Sequence, residues 1–253
     1  MAEGDTILRL ARRFEATLEG EVVAAAAPNP RGKAANVERL DGRTLESVEA
    51  HGKHLLLGFG DLSLHSHLGM SGGWHFYRPG ARWRRPRSSA WAVLSGGGWD
   101  AVQFGGPTLR VTSTSRLRRD PQIARLGPDI LAEAFDTEAA IAAMRADPTR
   151  DLGDALLDQH LVAGIGNIFK SEACFAARVD PWRPVGDLSD EELGAVLAAA
   201  REQMQAAVES GGRHHFRIYK RRQGTCPSCR GSISSRGQGD ANRITYWCPR
   251  CQL

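Results

Sequence analysis

The feature that most constrains this chain stands at its C-terminal end: Cys226-Pro-Ser-Cys229, eighteen residues, then Cys248-Pro-Arg-Cys251. Two C-x-x-C knuckles at this separation suit four thiolates around one tetrahedral Zn2+. The stretch between them, residues 230–247, is long enough for a β-hairpin and holds Gly231, Gly237 and Gly239 to turn it. The other use of four cysteines is a pair of disulfides, which needs an oxidising compartment. The N-terminus, Met1-Ala2-Glu3-Gly4-Asp5, has neither the basic nor the apolar region of an export signal. Zinc is therefore the stronger reading, and a cytoplasmic location is expected. A zinc ribbon alone names no function, because such ribbons serve nucleic-acid binding and plain stapling alike.

At 253 residues the chain has room for about two domains with real cores. No apolar run approaches the roughly 20 residues that span a bilayer, so no membrane association is expected. Cys174, flanked by Ala173, Phe175 and Ala176, reads as a small buried hydrophobe. The net charge is +4, and its distribution says more than its sum. Arg78, Arg82, Arg84, Arg85 and Arg87 form one cluster; Arg116, Arg118, Arg119 and Arg125 form a second. A third, Arg213, His214, His215, Arg217, Lys220, Arg221 and Arg222, precedes the knuckles. A charge run is ordinarily a solvated face. Three of them beside a zinc ribbon favour a polyanion, with nucleic acid foremost.

Periodicity divides the chain. Ile7, Leu10, Ala11, Phe14 and Leu18 recur at helical spacing up to Gly20. Short β-rich runs follow at 43–48, 54–59, 62–68, 73–77, 91–94 and 101–104, punctuated by Gly, Pro and Asp as in a β-sandwich or barrel. From about Asp120 the pattern becomes helical. Asp136 caps a helix through Met144, 152–157 is a short helix, 160–167 a turn with Gly164 and Gly166, and 168–176 a helix. Ser189-Asp-Glu-Glu192 is a capping box opening a long helix that Gly211-Gly212 ends. The expected fold class is α+β and multidomain: a sheet-rich domain over 1–118 with a long N-terminal helix, a helical domain over 119–212, and a zinc-ribbon hairpin module over 213–253.

Four features need a joint explanation. Ala2 is small enough for Met1 to be removed, which would expose an α-amine at a helix start, where the dipole disfavours its ammonium form. Such an amine could be a Schiff-base nucleophile with Glu3 as acid or base; equally, Glu3 and Asp5 could simply complement the dipole. Gly52-Lys53-His54 at a strand entry is either a charged turn or a phosphate contact. Residues 159–167, QHLVAGIGN, end in two glycines before a helix N-terminus and read either as an anion site or as a plain helix–turn–helix elbow. Arg243, five residues before Cys248, lies on the tip or flank of the hairpin.

Jointly these residues resemble the formamidopyrimidine-DNA glycosylase/endonuclease VIII family of base-excision repair enzymes. The likeness covers essentially the whole chain: A-E-G-D-T at the N-terminus, G-K-H-L-L-L at 52–57, H-L-G-M-S-G at 67–72, L-L-D-Q-x-x-V-A-G-I-G-N-I-F-K-S-E at 156–172, and Y-W-C-P-R-C-Q at 246–252. It implies an N-terminal β-sandwich, a helix–two-turn–helix domain and a zinc hairpin, acting as a monomer on double-stranded DNA that contains damaged bases or abasic sites. It implies that the Ala2 amine attacks C1′ of the flipped-out nucleotide with Glu3 as the assisting acid, that β- and δ-elimination follow, and that one structural Zn2+ is held by Cys226, Cys229, Cys248 and Cys251. By the same likeness Lys53 is a phosphate contact and proton donor, Asn167 and Arg243 grip phosphates, and Met70 fills the space left by the flipped base.

Two departures from the family pattern matter. Position 2 is proline in the family and alanine here, which alters the lyase steps or removes them, leaving a non-catalytic damaged-DNA binder as the alternative. The Arg-Arg-Phe-Gly probe of the purine-directed branch is missing from 100–111, where the chain reads Q-F-G-G-P-T-L-R at 103–110. Together with F-R-I-Y-K-R at 216–221, this favours the endonuclease VIII branch and oxidised pyrimidines, although Met70 points mildly the other way.

Overall fold

The structure is a computed structural model that describes residues 2–253 except His215, Arg222, Gln223 and Ala241. The expected removal of Met1, and the His215 and Arg222 members of the third basic cluster, therefore lie outside the described residues. The chain forms two compact units: Ala2 with Thr6–Arg125, and Glu3–Asp5 with Leu126–Leu253.

The first unit opens with α1 (Gly4–Glu15), continued by β1 (Val22–Ala26) and the short helix α2 (Pro30–Ala34). Eight strands follow: β2 (Arg43–Thr44), β3 (Ser47–His51), β4 (His54–Phe59), β5 (Leu62–His67), β6 (Gly73–Tyr77), β7 (Ala92–Gly96), β8 (Trp99–Phe104) and β9 (Thr108–Ser113). Two short helices, α3 (Thr114–Arg118) and α4 (Pro121–Ala124), close the unit. The strands make two antiparallel sheets, ordered β2-β1-β7-β8-β6 and β3-β4-β5-β9. One apolar core takes side chains from both sheets and from α1: Leu55, Leu57 and Leu64 from one, Val23, Leu94 and Trp74 from the other, and Ile7 and Phe14 from the helix. Phe14 is fully buried and meets Trp74 and Phe76 edge-on, with centroids 5.0 and 4.9 Å away. This is the geometry that the ring quadrupoles favour.

The sheets confirm the β-rich reading and correct its details. The single run read at 43–48 is two strands in two different sheets. Leu45 N–H bonds to Glu21 O while Glu46 N–H bonds to Gly58 O, so the chain changes sheets between those residues. The alanine tract at 24–27 contributes to β1, and β9 has no counterpart in the sequence reading, although Thr108-Leu109-Arg110-Val111-Thr112 alternates polar and apolar with Leu109 and Val111 buried. Helix α1 ends at Glu15, and Gly20, at φ +81°, closes the turn beyond it.

The second unit holds α5 (Thr137–Arg145), α6 (Leu152–Ala155), α7 (Asn167–Ala177), α8 (Asp190–Glu209) and the hairpin β10 (Ser234–Gln238) and β11 (Arg243–Trp247). Its capped helix starts are those read from sequence, while α7 begins at Asn167, one residue before the start read at 168. Asp136 accepts the Ala139 N–H at 2.9 Å, and Ser189 and Glu192 form the reciprocal capping box. Leu193, Val196, Leu197, Ala200 and Met204 of α8 pack on Phe169, Ala173 and Cys174 of α7 in one core. Cys174 is fully buried, and burial pushes its thiol up to about 12, so it behaves as the small hydrophobe expected. Among the described residues no helix is long and apolar enough to cross a membrane.

Candidate functional site

In the first unit the N-terminal segment is tied to the loop after β5. The Ala2 N–H donates to Gly69 O at 3.2 Å, which sets position 2 beside Met70, an exposed methionine. Gly69 takes φ +58°, and a Cβ there would meet Pro107 Cδ at 2.8 Å, so this close turn needs glycine. Lys53 lies on the two-residue loop of the β3–β4 hairpin, where Gly52 supplies φ +56° and His51 pairs with His54.

Behind Lys53 the sheet carries a ladder of imidazoles that the sequence reading did not single out. Arg110 Nε donates to His65 Nδ1 at 3.3 Å, and His65 Nε2 lies 2.8 Å from His54 Nδ1. A neutral His65 that accepts at Nδ1 carries its proton on Nε2, so it donates to His54. Burial, then the neighbouring imidazoles and Lys53, pushes His54 down to about 3. Burial, with Arg110 beside it, pushes His65 down to about 4. Both are therefore uncharged near neutral pH. The clue in the sequence was alternation: His54, and His65 with His67, stand two apart on paired strands.

In the second unit Glu3 is 1% exposed and sits on the N-terminus of α7. Its Oε1 accepts from Ile168 N–H at 2.9 Å and its Oε2 from Phe169 N–H at 3.3 Å. These are two of the amides that a helix start leaves without partners, and they favour an anion there. A Cβ on Gly166 would collide with the Glu3 carboxyl, which explains the second glycine of the 159–167 motif. The first, Gly164, takes φ +106° and accepts the Gly4 N–H at 3.0 Å. Gln159 braces the loop, accepting from Gly164 N–H and donating to Leu157 O and Ile165 O. The motif is thus both an elbow and a seat at a helix N-terminus, and the group seated there is the protein's own Glu3 carboxyl.

Asn167, the first residue of α7, donates from Nδ2 to Ile244 O at 2.8 Å, next to Arg243. Arg243 opens β11 opposite Gln238, at the turn end of the hairpin. Lys170, one turn further along α7, is fully buried and was not singled out by sequence. Its Nζ donates to Thr245 Oγ1 at 2.5 Å, Thr245 donates to Gln238 Oε1 at 2.7 Å, and Gln238 donates to Pro181 O at 2.8 Å. Burial pushes Lys170 down to about 8. The chain of bonds fixes both hairpin strands to α7 and so fixes where Arg243 begins.

Glu172, also on α7, accepts backbone N–H bonds from Arg217, Ile218 and Tyr219 at 2.9, 2.9 and 2.7 Å. This holds the F-R-I-Y-K-R segment against the helix. A cavity of about 300 Å3 lies between that segment, α7 and α8, lined by Phe169, Gln203, His214 and Phe216 among others. The His214 ring stacks on Phe216 at 5.2 Å and 15°, and its Nε2 lies 3.4 Å from Asp5 Oδ2.

The four knuckle sulfurs lie within 4.8 Å of one another, with Cys226–Cys251 at 3.8 Å and Cys229–Cys248 at 3.5 Å. A tetrahedron with Zn–S bonds of about 2.3 Å has S···S edges of about 3.8 Å. Ser228 and Gly231 N–H each point at a cysteine sulfur, Cys226 and Cys229, at 3.4 Å. The donor set fits zinc and uses all four positions, so the metal would staple the hairpin and offer no open site for chemistry.

The structure thus gathers the expected residues into two groups. Ala2 and Met70 share a turn in the first unit, which also carries Lys53. Glu3, Asn167 and Arg243 are linked through α7 and β11 in the second.

Residues 1–104 match the family described as the formamidopyrimidine-DNA glycosylase N-terminal domain, and residues 126–217 its H2TH domain. The chain is 39% identical to a probable endonuclease 8 2 of Streptomyces coelicolor, over 100% of this chain and 94% of that protein. It is 33% identical to the DNA-(apurinic or apyrimidinic site) lyase Nei2 of Mycolicibacterium smegmatis, over 100% and 99% of the two chains. A crystal structure of the Lactococcus lactis formamidopyrimidine-DNA glycosylase in complex with an abasic site containing DNA shares the fold. Its TM-score is 0.85 at 23% identity, covering 100% of both chains.

Proposed function

This chain belongs to the formamidopyrimidine-DNA glycosylase/endonuclease VIII family, and from that premise we propose that it is a base-excision repair enzyme, a DNA glycosylase with abasic-site lyase activity. The observation that carries the reading is the seat of Glu3. A carboxyl group adjacent in sequence to position 2 is 1% exposed and oriented by two α7 amides. Burial and fixed orientation suit a group that must move a proton at one defined place.

With Met1 removed, the Ala2 nitrogen would bond to C1′ of the lesion nucleotide as the glycosidic bond breaks and its electron pair leaves with the base. Glu3 would carry the proton that lets the sugar ring oxygen depart. The bound nitrogen sheds a proton, and its lone pair then opens the ring to a protonated imine. With a primary amine this can lose its remaining N–H proton and turn neutral, and only the protonated form acidifies the 2′ C–H. A proline at this position would give an iminium with no N–H proton to lose. Loss of the 2′ proton expels the 3′ phosphate by β-elimination, and δ-elimination can follow. Lys53, Asn167 and Arg243 would hold phosphates around the lesion, and Met70 would occupy the vacated stack. The zinc would keep the hairpin that carries Arg243 in shape. The substrate is duplex DNA with a damaged base or abasic site. Oxidised pyrimidines are favoured, because the segment 100–111 lacks the Arg-Arg-Phe-Gly probe and residues 216–221 read F-R-I-Y-K-R. Work on a bacterial chromosome would place the protein in the cytoplasm.

Borohydride added to protein and abasic-site duplex should yield a covalent adduct, and Glu3→Gln should lose base excision while still binding the abasic site. Excision by the mutant equal to the parent would refute the role of Glu3. The alanine at position 2 supports a second reading, a damaged-DNA binder without lyase chemistry, which predicts tight binding to the same duplex and no adduct from Met1-processed protein.

A further inference from the structure

Residues 62–99 contain no Asp or Glu, and within them Arg78, Arg82, Arg84, Arg85 and Arg87 fall in ten residues. A solvated face would scatter such side chains. Here residues 81–87 line a depression of about 450 Å3, built around Trp83. The indole is 8% exposed, stacks on Tyr77 at 5.8 Å, meets Phe104 edge-on at 6.3 Å, and carries the Arg87 guanidinium 4.1 Å from its centroid. Arg85 lies 5.7 Å over Phe104, and Arg84 N–H donates to Tyr77 Oη at 3.2 Å. The loop beyond is pinned by Ser89 Oγ donating to Pro86 O and by Asn29 Nδ2 donating to Ser88 O. Among the described residues no carboxylate pairs with Arg82, Arg84, Arg85 or Arg87.

Guanidinium groups around one depression, with no carboxylate paired to them, make the inventory of a phosphate seat. The packed ring leaves no face for a base to stack on, so the seat would read backbone and not sequence.

We propose that the loop formed by residues 81–87 is a phosphodiester-binding site that grips DNA irrespective of damage, with Arg82 and Arg84 supplying the charge on a loop that the packed Trp83 ring holds in shape. It rests on the reading that this chain works on DNA. Each phosphate neutralised on duplex DNA contributes about 0.9 to the slope of log affinity against log salt. With the full chain and an undamaged random-sequence duplex, Arg82→Gln/Arg84→Gln should lower that slope by about 2, and Arg82→Lys/Arg84→Lys should restore it. Thermal unfolding of each variant shows whether the fold is retained. A wild-type chain that binds no duplex overturns this site and the proposed function together. A wild-type that binds, with an unchanged slope in the double glutamine variant, overturns the site alone.

Discussion

The sheet-rich unit and the zinc hairpin are held together by different physics. The first buries side chains from α1 and two sheets in one continuous core. The second has a small apolar cluster of Phe175, Ile218 and Ile233 around two of its cysteines, ring contacts of Trp247 with Trp182 and of Tyr246 with Tyr219, and the polar links Lys170 to Thr245 to Gln238 and Asn167 to Ile244. Burying apolar area is worth about 25 cal/mol per Å2, so a core of the first kind sustains itself. A five-plus-five-residue hairpin does not, and a two-stranded ribbon in water is marginal at best. The proposed nucleophile and the proposed phosphate grip thus stand on different supports, which different perturbations should remove.

The largest effect tests the metal side. For structural zinc, binding energy is folding energy, about 10 kcal/mol or more. Chelation, or Cys248→Ser, should abolish DNA binding and amide protection across β10 and β11 while protection of β4 and β5 persists; hydrogen exchange reads both. Simultaneous loss in both places would break the comparison.

The converse comes next. Phe14→Ala empties a fully buried site among Trp74 and Phe76 and should cost about 3–5 kcal/mol. The unfolding midpoint should fall, with the zinc content by mass spectrometry unchanged. Release of the metal by this substitution would show that the two supports are coupled.

The smallest effect is confined to the imidazole ladder. His54 and His65 fall from 6.5 unfolded to about 3 and about 4 folded, so below pH 6.5 the unfolded chain binds the extra protons. Their contribution to stability is complete above pH 6.5 and is lost as pH drops toward 4. For His65 alone the loss is on the order of 3 kcal/mol, with Arg110, Asp120, His67 and His54 facing it. His65→Phe should flatten the decline of the thermal midpoint between pH 6.5 and 4, and a parallel decline would remove the ladder as its cause.

Much was legible before any coordinates. Knuckle spacing fixed the metal site, because ligand geometry tolerates few separations. The capping residues Asp136 and Ser189 fixed helix starts, because a cap acts on amides two or three residues away. The lone-standing strands were less legible. Arg43 to Val48 reads as one run, yet its halves pair with different strands, a choice made by Glu21 and Gly58 and not by the run itself. Lys170 looked like one more helix lysine, and its burial depends on Thr245, 75 residues away.

By itself the sequence determined the residue types that chemistry requires and the local elements that carry them, since these rest on contacts within a few residues. Only the tertiary structure decided that Glu3 would close the N-terminus of a helix 165 residues distant. It decided also that Gly166 would make room for that carboxyl, and that a tryptophan N–H among arginines would be left without an acceptor. Such placements depend on which surfaces meet when cores close, and no pattern within either segment encodes that meeting alone.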